Sequence, residues 1–269
     1  MIDIETSKKQ TFHNSLEIVP NLSIVITTFE VRFFDYTLPL ISKIRSVTSN
    51  PVIVVINGSF KGGINENKLR LFISELGKFS GIYPTTLLNF HGCAELWNIG
   101  ITNSDTEYFL ILNDDIHIFP EIFKDFLAYV SSALDKHQLV TINRSFSHFC
   151  ISRKCISDVG FFDEHFLGIG DEDRDYFFRF ETTYGRKPFN IRTDAFFNFS
   201  DPSRDENVKP SSAGKYSAFN AKIKEDFYVS DPKGLVAGRY DSPMKRIKTF
   251  IDPRPIWKFR TENYRKLSE

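Results

Sequence analysis

Two adjacent carboxylates, Asp114 and Asp115, close the apolar run Tyr108-Phe109-Leu110-Ile111-Leu112-Asn113, where a buried strand should leave its sheet. In open α/β sheets ligands bind beyond the carboxyl ends of the strands, and acidic oxygens there can hold a hard divalent cation that neutralises a diphosphate. The same pair could instead cap the segment that follows, Ile118 to Val130. A second acidic cluster comes later, where Gly160-Phe161-Phe162-Asp163-Glu164 precedes Gly168-Ile169-Gly170-Asp171-Glu172-Asp173-Arg174-Asp175. The glycines allow a loop that approaches a ligand closely. Asp171 reads as the N-cap of a helix whose positive end favours Glu172 and Asp173 as anions. A carboxylate kept ionised at a cleft mouth can take a proton from a hydroxyl nucleophile. Helix capping, with an Asp175–Arg179 pair one turn apart worth ~0.3–0.5 kcal/mol, is the structural alternative. One acid is enough for a cap, so three in a row point to chemistry.

These residues need elements to position them. Leu22 to Thr28 is apolar and β-branched, Phe34 to Val47 reads as a helix, and Pro51 to Ile56 as a second strand ending at Asn57-Gly58. Asn65 to Lys78 is helical, Thr85 to Phe90 a short strand, Cys93 to Thr102 a helix, and Glu107 to Leu112 the strand that delivers the aspartates. This alternation predicts a parallel sheet with right-handed crossovers. After Pro120 the pattern changes: a helix over Ile122–Leu134, strands over Leu139–Asn143 and Phe146–Ser152, a helix over Asp171–Tyr184 and a strand over Phe189–Phe199. A polar loop from Ser200 to Gly214 follows. The chain divides into an N-terminal extension (1–20), a nucleotide-binding half (21–117), an acceptor half (118–200) and a C-terminal loop with a basic tail (201–269).

Composition narrows the class. The 269 residues can bury a substantial core, and 41% hydrophobic with 25% charged is ordinary globular composition. The 28 phenylalanines supply large flat side chains for core packing and for stacking surfaces. Lys plus Arg and Asp plus Glu both number 34, so global charge gives no reason to expect nucleic acid. Locally, Lys245 to Glu269 holds eight basic and three acidic residues, with Phe250, Trp257, Phe259 and Tyr264 among them. That tail could dock on an anionic membrane surface, pack as a solvated helix on the body, or serve as a basic arm. Cys93, Cys150 and Cys155 are too few for a disulfide framework and favour a reducing compartment. His148, Cys150 and Cys155 do not match a zinc-finger spacing, and buried thiols are the better reading. Met1 to Gln10 lacks an apolar signal core, and no run reaches the ~18 apolar residues of a membrane span. A cytoplasmic or membrane-peripheral protein is expected.

The chain also carries, in order, Ser23-Ile24-Val25-Ile26-Thr27-Thr28-Phe29, Val54-Val55-Ile56-Asn57-Gly58-Ser59, Gly92 with Trp97-Asn98-Ile99-Gly100, Leu112-Asn113-Asp114-Asp115, and Gly160-Phe161-Phe162-Asp163-Glu164 with Glu172-Asp173-Arg174-Asp175. Over residues 22–180 this series resembles family 2 glycosyltransferases of the GT-A fold. The resemblance implies a Rossmann-like nucleotide-binding half with a mostly parallel sheet, joined to a mixed-sheet acceptor half. It implies sugar transfer from a nucleotide-sugar donor to a glycan or lipid-linked acceptor in polysaccharide synthesis, with inversion, assisted by Mn²⁺ or Mg²⁺.

On these positions the resemblance places Thr27, Thr28, Phe29 and Glu30 along the nucleotide pocket, Asn57 at the base or ribose, and Asn98 facing the donor. Asp115 matches the last aspartate of the metal-binding motif, with Asp114 assisting. Asp173 of the Glu172-Asp173 pair matches the catalytic base. Asn113-Asp114-Asp115 departs from a strict triplet with aspartates at both ends. Asn198 stands near where relatives carry a histidine, which implies fewer protein ligands for the cation. Acceptor contacts are expected from Arg144, His148, Arg153 and the loop 201–214. A nucleotidyltransferase would need a glycine-rich basic loop near the first strand, and only Lys61-Gly62-Gly63, after the second, hints at one. No P-loop pattern occurs. A glycoside hydrolase leaves the nucleotide-pocket motifs unexplained. A non-catalytic glycan-binding module would not require acids at both sites.

Overall fold

The structure is a computed structural model, and it describes residues 2–3, 16, 18–58, 64–198, 216, 218–223, 228–230, 244–246 and 255–268. In chain order the elements are β1 (Ile2–Asp3), β2 (Leu22–Phe29), α1 (Leu38–Arg45), β3 (Val52–Asn57), α2 (Glu66–Leu76), β4 (Ile82–Thr86) and α3 (Cys93–Thr102). Then come β5 (Tyr108–Asn113), β6 (Ile116–Ile118), α4 (Pro120–His137), β7 (Leu139–Ile142), β8 (Ser145–Ser152), α5 (Arg153–Val159) and α6 (Glu172–Tyr184). The chain continues through β9 (Phe189–Arg192), β10 (Phe196–Asn198), β11 (Tyr228–Ser230), β12 (Met244–Arg246) and α7 (Ile256–Ser268).

One sheet unites the two halves, in the order β1-β9-β7-β8-β5-β2-β3-β4, and β8 is the strand that runs antiparallel to both neighbours. Strands β2 and β5 lie side by side in parallel, with Thr27 opposite Asn113. That register puts Thr28 beside the turn that carries Asp114 and Asp115. Leu22 to Thr28 is buried throughout, as a parallel strand covered on both faces must be. Side chains of β5 alternate between two cores: Leu110 and Leu112 pack with α1, α2 and α4, while Phe109 and Ile111 pack with α3, α5 and α6. Gly100 lets α3 settle onto β2, since a Cβ there would lie 2.2 Å from Val25 Cγ1. In α4, Pro120 opens the helix, and Phe123, Phe126, Leu127, Val130 and Leu134 form its buried stripe.

Several sequence expectations shift. The fourth strand is Ile82–Thr86 rather than Thr85–Phe90. Pro84 cannot donate to a ladder and is tolerated because β4 is the sheet edge, so the apolar pattern that marks the inner strands is missing. The single strand expected over 189–199 is two strands in different sheets, broken where Thr193 Oγ1 accepts the Ala195 N–H at 3.1 Å. The acidic pair caps no helix: it forms the turn between β5 and β6, and α4 starts only at Pro120. The extension contributes β1, paired with Ile191 and Arg192, and the 117/118 boundary falls inside β6. Helix α5, not anticipated, starts where the Ser152 side chain accepts the Cys155 N–H. The loop 201–214, Lys61-Gly62-Gly63, Lys248, Phe250 and Arg254 lie outside the described residues. Among the described residues no helix is long and apolar enough to cross a membrane.

Of His148 and Arg153, both expected to meet an acceptor, His148 is buried and Arg153 is partly exposed with its guanidinium bonded to backbone. Arg153 donates to the carbonyls of Thr106 and Ser104 at 3.0 and 2.6 Å. Cys150 and Cys155 are buried free thiols, with Cys155 Sγ 3.7 Å from the Tyr176 hydroxyl. His148 is 4% exposed and stacks on Phe196, with ring centroids 5.3 Å apart. Burial pushes its pKa down to about 4. Unfolding frees a histidine that titrates near 6.5, so the unfolded state binds more protons between those values. Stability from a neutral His148 is therefore complete above about pH 6.5 and lost as pH falls toward 4. Relative to His148→Leu, wild type should lose about 2 kcal/mol between pH 7 and pH 5, read by urea denaturation at both values. Parallel pH dependence in the two proteins would refute this.

Candidate active site

At the β5–β6 turn the two aspartates take different roles. Asp114 is 3% exposed, and both oxygens are engaged: Thr28 Oγ1 donates to Oδ2 at 2.8 Å and Arg32 Nη1 donates to Oδ1 at 2.9 Å. Thr37 Oγ1 in turn donates to Thr28 Oγ1 at 2.6 Å. Burial lifts the Asp114 carboxyl above its usual range, against the pull of Arg32 and Thr28. Arg32 sits over the Tyr36 ring at 5.6 Å, and its Nη1 lies 3.6 Å from Asp115 Oδ2. The Asp115 side chain keeps 23% exposure. Asp114 was expected to assist a cation; here each of its oxygens accepts a hydrogen bond from the framework. Asp115 is the carboxylate of the pair that can still present a ligand. Among the described residues no group of three or more His, Cys, Asp and Glu is arranged to hold a metal ion. A cation here would rest on Asp115 with oxygens from a bound diphosphate and water. Asn198, where the resemblance places a histidine, pairs with Ile116, the residue after Asp115.

The residues expected to line a nucleotide pocket are mostly wired into the protein. Thr27 is buried, and its hydroxyl donates to Asn113 Oδ1 at 3.3 Å. Glu30 is 5% exposed and paired with Lys68 at 2.9 Å. Phe29 is partly open, and its ring lies parallel to Phe90, which lies parallel to Tyr216, each step 6.0 Å between centroids. Two asparagines depart from expectation. Asn57 is fully buried; its Nδ2 donates to the His91 carbonyl and its Oδ1 accepts the His91 N–H, both at 2.9 Å. Asn98 donates to the Phe162 carbonyl and to Glu164 Oε1 at 2.9 Å, and accepts the Phe162 N–H at 3.0 Å. Both amides are bonded to backbone. Asn57 pins the approach to α3, and Asn98 pins the acceptor-side loop to α3. Asn98, Phe161, Asp163, His165 and Arg179 line an open cavity of about 490 Å³ that none of Asp115, Glu172 and Asp173 borders.

The second acidic cluster enters along a left-handed backbone, with φ of +68° at Gly168, +119° at Gly170 and +72° at Asp171. Asp171 holds the N-cap position of α6 but makes no capping hydrogen bond, so that expectation fails; Arg174 lies 3.4 Å from it. Glu172 is 4% exposed, and its Oε2 accepts the Gly170 N–H at 2.6 Å. Burial first, then the charges of Asp173 and Asp171, push its pKa up to about 8. The helix terminus was expected to keep Glu172 anionic, but desolvation wins. Asp173 is half-buried and accepts the Arg174 N–H at 2.7 Å. Asp175 is wholly buried with Arg179 at 2.7 Å, an internal pair rather than a solvated one.

Cys93, first residue of α3, links the clusters. Its thiol is pushed well above the usual range by burial and then by the charges of Glu172, Asp173 and Asp115. One thiol thus feels all three carboxylates, which the chain supplies from the β5 terminus and the α6 N-terminus. Sequence reasoning did not single out Arg32, Cys93 or the contacts made from beyond residue 215. Arg32 had a signal, as a cation a few residues past Thr28 that an acidic pair would need.

The mixed, mostly parallel α/β sheet has counterparts among solved structures. A crystal structure of S. aureus TarS, 13% identical, matches with a TM-score of 0.50 over 81% of this chain and 46% of that one. TarS 1-349 in complex with UDP-GlcNAc, 12% identical, matches with a TM-score of 0.51 over 76% of this chain and 66% of that one. The chain therefore spans between about half and two thirds of those proteins. Identities this low establish the architecture alone. No protein-family profile matches the chain, and no curated protein does.

The unequal aspartates are separable by experiment. Asp114→Asn removes the charge of a buried carboxylate bonded to Arg32 and Thr28 and should cost on the order of 3 kcal/mol in urea denaturation, whereas Asp115→Asn should stay within about 1 kcal/mol. Equal losses in the two variants would contradict the division.

Proposed function

We propose that this chain is a glycosyltransferase that moves a sugar from a nucleoside-diphosphate donor to a hydroxyl of a glycan or lipid-linked glycan acceptor, in cell-surface polysaccharide synthesis. The observation that carries it is the pair of acidic groups, Asp115 in the turn after β5 and Glu172–Asp173 in the first turn of α6, with the Cys93 N–H at the start of α3 bonded at 2.8 Å to the Gly168 carbonyl of the loop that delivers the second group. Support comes from the fold shared with TarS, one of whose structures holds UDP-GlcNAc.

The residues divide the chemistry between them. An acceptor hydroxyl must lose its proton as it attacks, and a neutral acid cannot take it. Burial raises the Glu172 pKa to about 8 and disfavours its anion, so the base is assigned to Asp173 beside it, which is less buried. Attack from the face opposite the leaving diphosphate inverts the anomeric centre. Asp115 would hold Mn²⁺ or Mg²⁺, which when bound supplies positive charge to the leaving diphosphate. Phe29, at the end of β2, offers an aromatic face beside the strand ends where a nucleotide binds in such sheets. Trp257 (61% exposed), Lys258, Arg265 and Lys266 point away from the body on α7 and remain for an anionic membrane surface where lipid-linked acceptors sit.

A screen of nucleotide sugars for release of nucleoside diphosphate, with and without excess EDTA, tests the reading. Asp173→Asn should bind the donor within about threefold of wild type and lose about a hundredfold or more in transfer, because the amide keeps the shape but accepts no proton. Wild-type turnover in that variant would remove Asp173 as the base, and full activity in EDTA would remove the cation.

A further inference from the structure

The loop that delivers Glu172 and Asp173 is not held in place by its own neighbourhood. Positive φ at the non-glycine Asp171 is unfavourable and persists only where surrounding contacts over-determine it. Many of those contacts come from the far end of the chain. Asn220, 1% exposed, accepts the Leu167 N–H and donates to the carbonyls of Leu167 and Gly170, each at 2.9 Å. The Tyr264 hydroxyl accepts the Gly168 N–H at 3.0 Å. Tyr216 lies so close over Gly168 that a Cβ there would come within 2.9 Å of its ring.

From the donor side, the Cys93 N–H donates to the Gly168 carbonyl at 2.8 Å. Gly92 leaves room for the Tyr264 hydroxyl, which a Cβ would meet at 2.9 Å. Arg260, one turn before Tyr264 on α7, spans Glu95 of α3 at 2.7 Å and Glu164 of the acceptor-side loop. Phe259 anchors the helix in a small core with Phe166 and Ile223. The tail thus closes over the junction between α3 and the 160–171 loop. The last link is short: Gly170, gripped through its carbonyl by Asn220, donates its N–H to Glu172.

We infer that Asn220, Arg260 and Tyr264 are positioning residues for the Glu172–Asp173 pair, so residues 218–223 and α7 support the active site. The catalytic half of this inference rests on the transferase reading. Displacing a base from its working geometry lowers turnover while leaving donor affinity in place, because the donor-side contacts are untouched.

The test uses the full-length chain with two readouts: amide hydrogen exchange of peptides covering 166–173, and hydrolysis of UDP-GlcNAc or another nucleotide sugar that wild type turns over. Tyr264→Phe keeps the ring and removes the hydroxyl. It should speed exchange of the loop about fivefold and lower kcat about tenfold or more, with donor KM within about twofold. Gly92→Ala, which crowds Tyr264 from the other side, should act in the same direction. Arg260→Lys should restore part of what Arg260→Met loses, and Thr261→Ala, exposed on the same helix, should match wild type in both readouts. Unchanged loop exchange in both Tyr264→Phe and Gly92→Ala overturns the clamp. Faster exchange with unchanged kcat overturns its role in catalysis. A loosened loop in a protein whose wild type turns over no nucleotide sugar overturns the transferase reading, and the catalytic inference with it.

Discussion

Gathering carboxylates at one end of a sheet is opposed by their mutual repulsion, and the arrangement around Cys93 is a solution to that problem. Asp115, Glu172 and Asp173 all act on one thiol, with Asp114 adjacent to Asp115 in the same turn. Four ionised acids in so small a space would repel strongly at low dielectric. The protein reduces the charge in two ways. Arg32 and Thr28 bind Asp114, and burial raises the pKa of Glu172 to about 8. Asp115, in the turn after β5, and Asp173, in the first turn of α6, keep more exposure than Asp114 and Glu172. Their separation of roles depends on the parallel register of β2 and β5, which brings Thr28 alongside the Asp114 turn.

The same economy governs how the halves are joined. Asn57 and Asn98 are spent on backbone brackets, and each fixes a segment that must not move: the approach to α3 in one case, the 160–165 loop in the other. Helix α3 is the shared reference for both. It carries Cys93 at its start, Glu95 for Arg260 and Asn98 for Phe162, and Gly100 presses it onto β2. A strained loop between two rigid bodies is a common way to hold reactive groups in place.

Much of the fold could be read from the residues, because parallel inner strands are apolar throughout and helices such as Cys93–Thr102 keep a clear period. The edges could not. Tyr83 and Pro84 give β4 a polar, interrupted look, and a Thr193 side-chain turn splits an apolar run that looks continuous. The acids stood out as residue types, but their environments did not. Nothing local distinguishes Asp114 from Asp115: the difference is made by Arg32 and Thr28, brought in by strand pairing over more than eighty residues of separation. Glu172 similarly looks like a first-turn anion, and only the depth of its burial reverses that. Phe259 and Tyr264 looked as suited to a membrane as to a core, and α7 turns both inward.

The central claim is that burial holds Glu172 neutral so that Asp173 works as the base, and carboxyl titration tests it most directly. With glutamate carboxyl carbons isotopically labelled, NMR across pH 3 to 9 should show one glutamate titrating with an apparent pKa of about 8, absent in Glu172→Gln. Because the folded value lies above the unfolded one, wild type should also lose stability relative to Glu172→Gln as pH rises from about 4.5 to about 8. A spectrum in which every glutamate titrates near the ordinary value of about 4.3 would contradict the account.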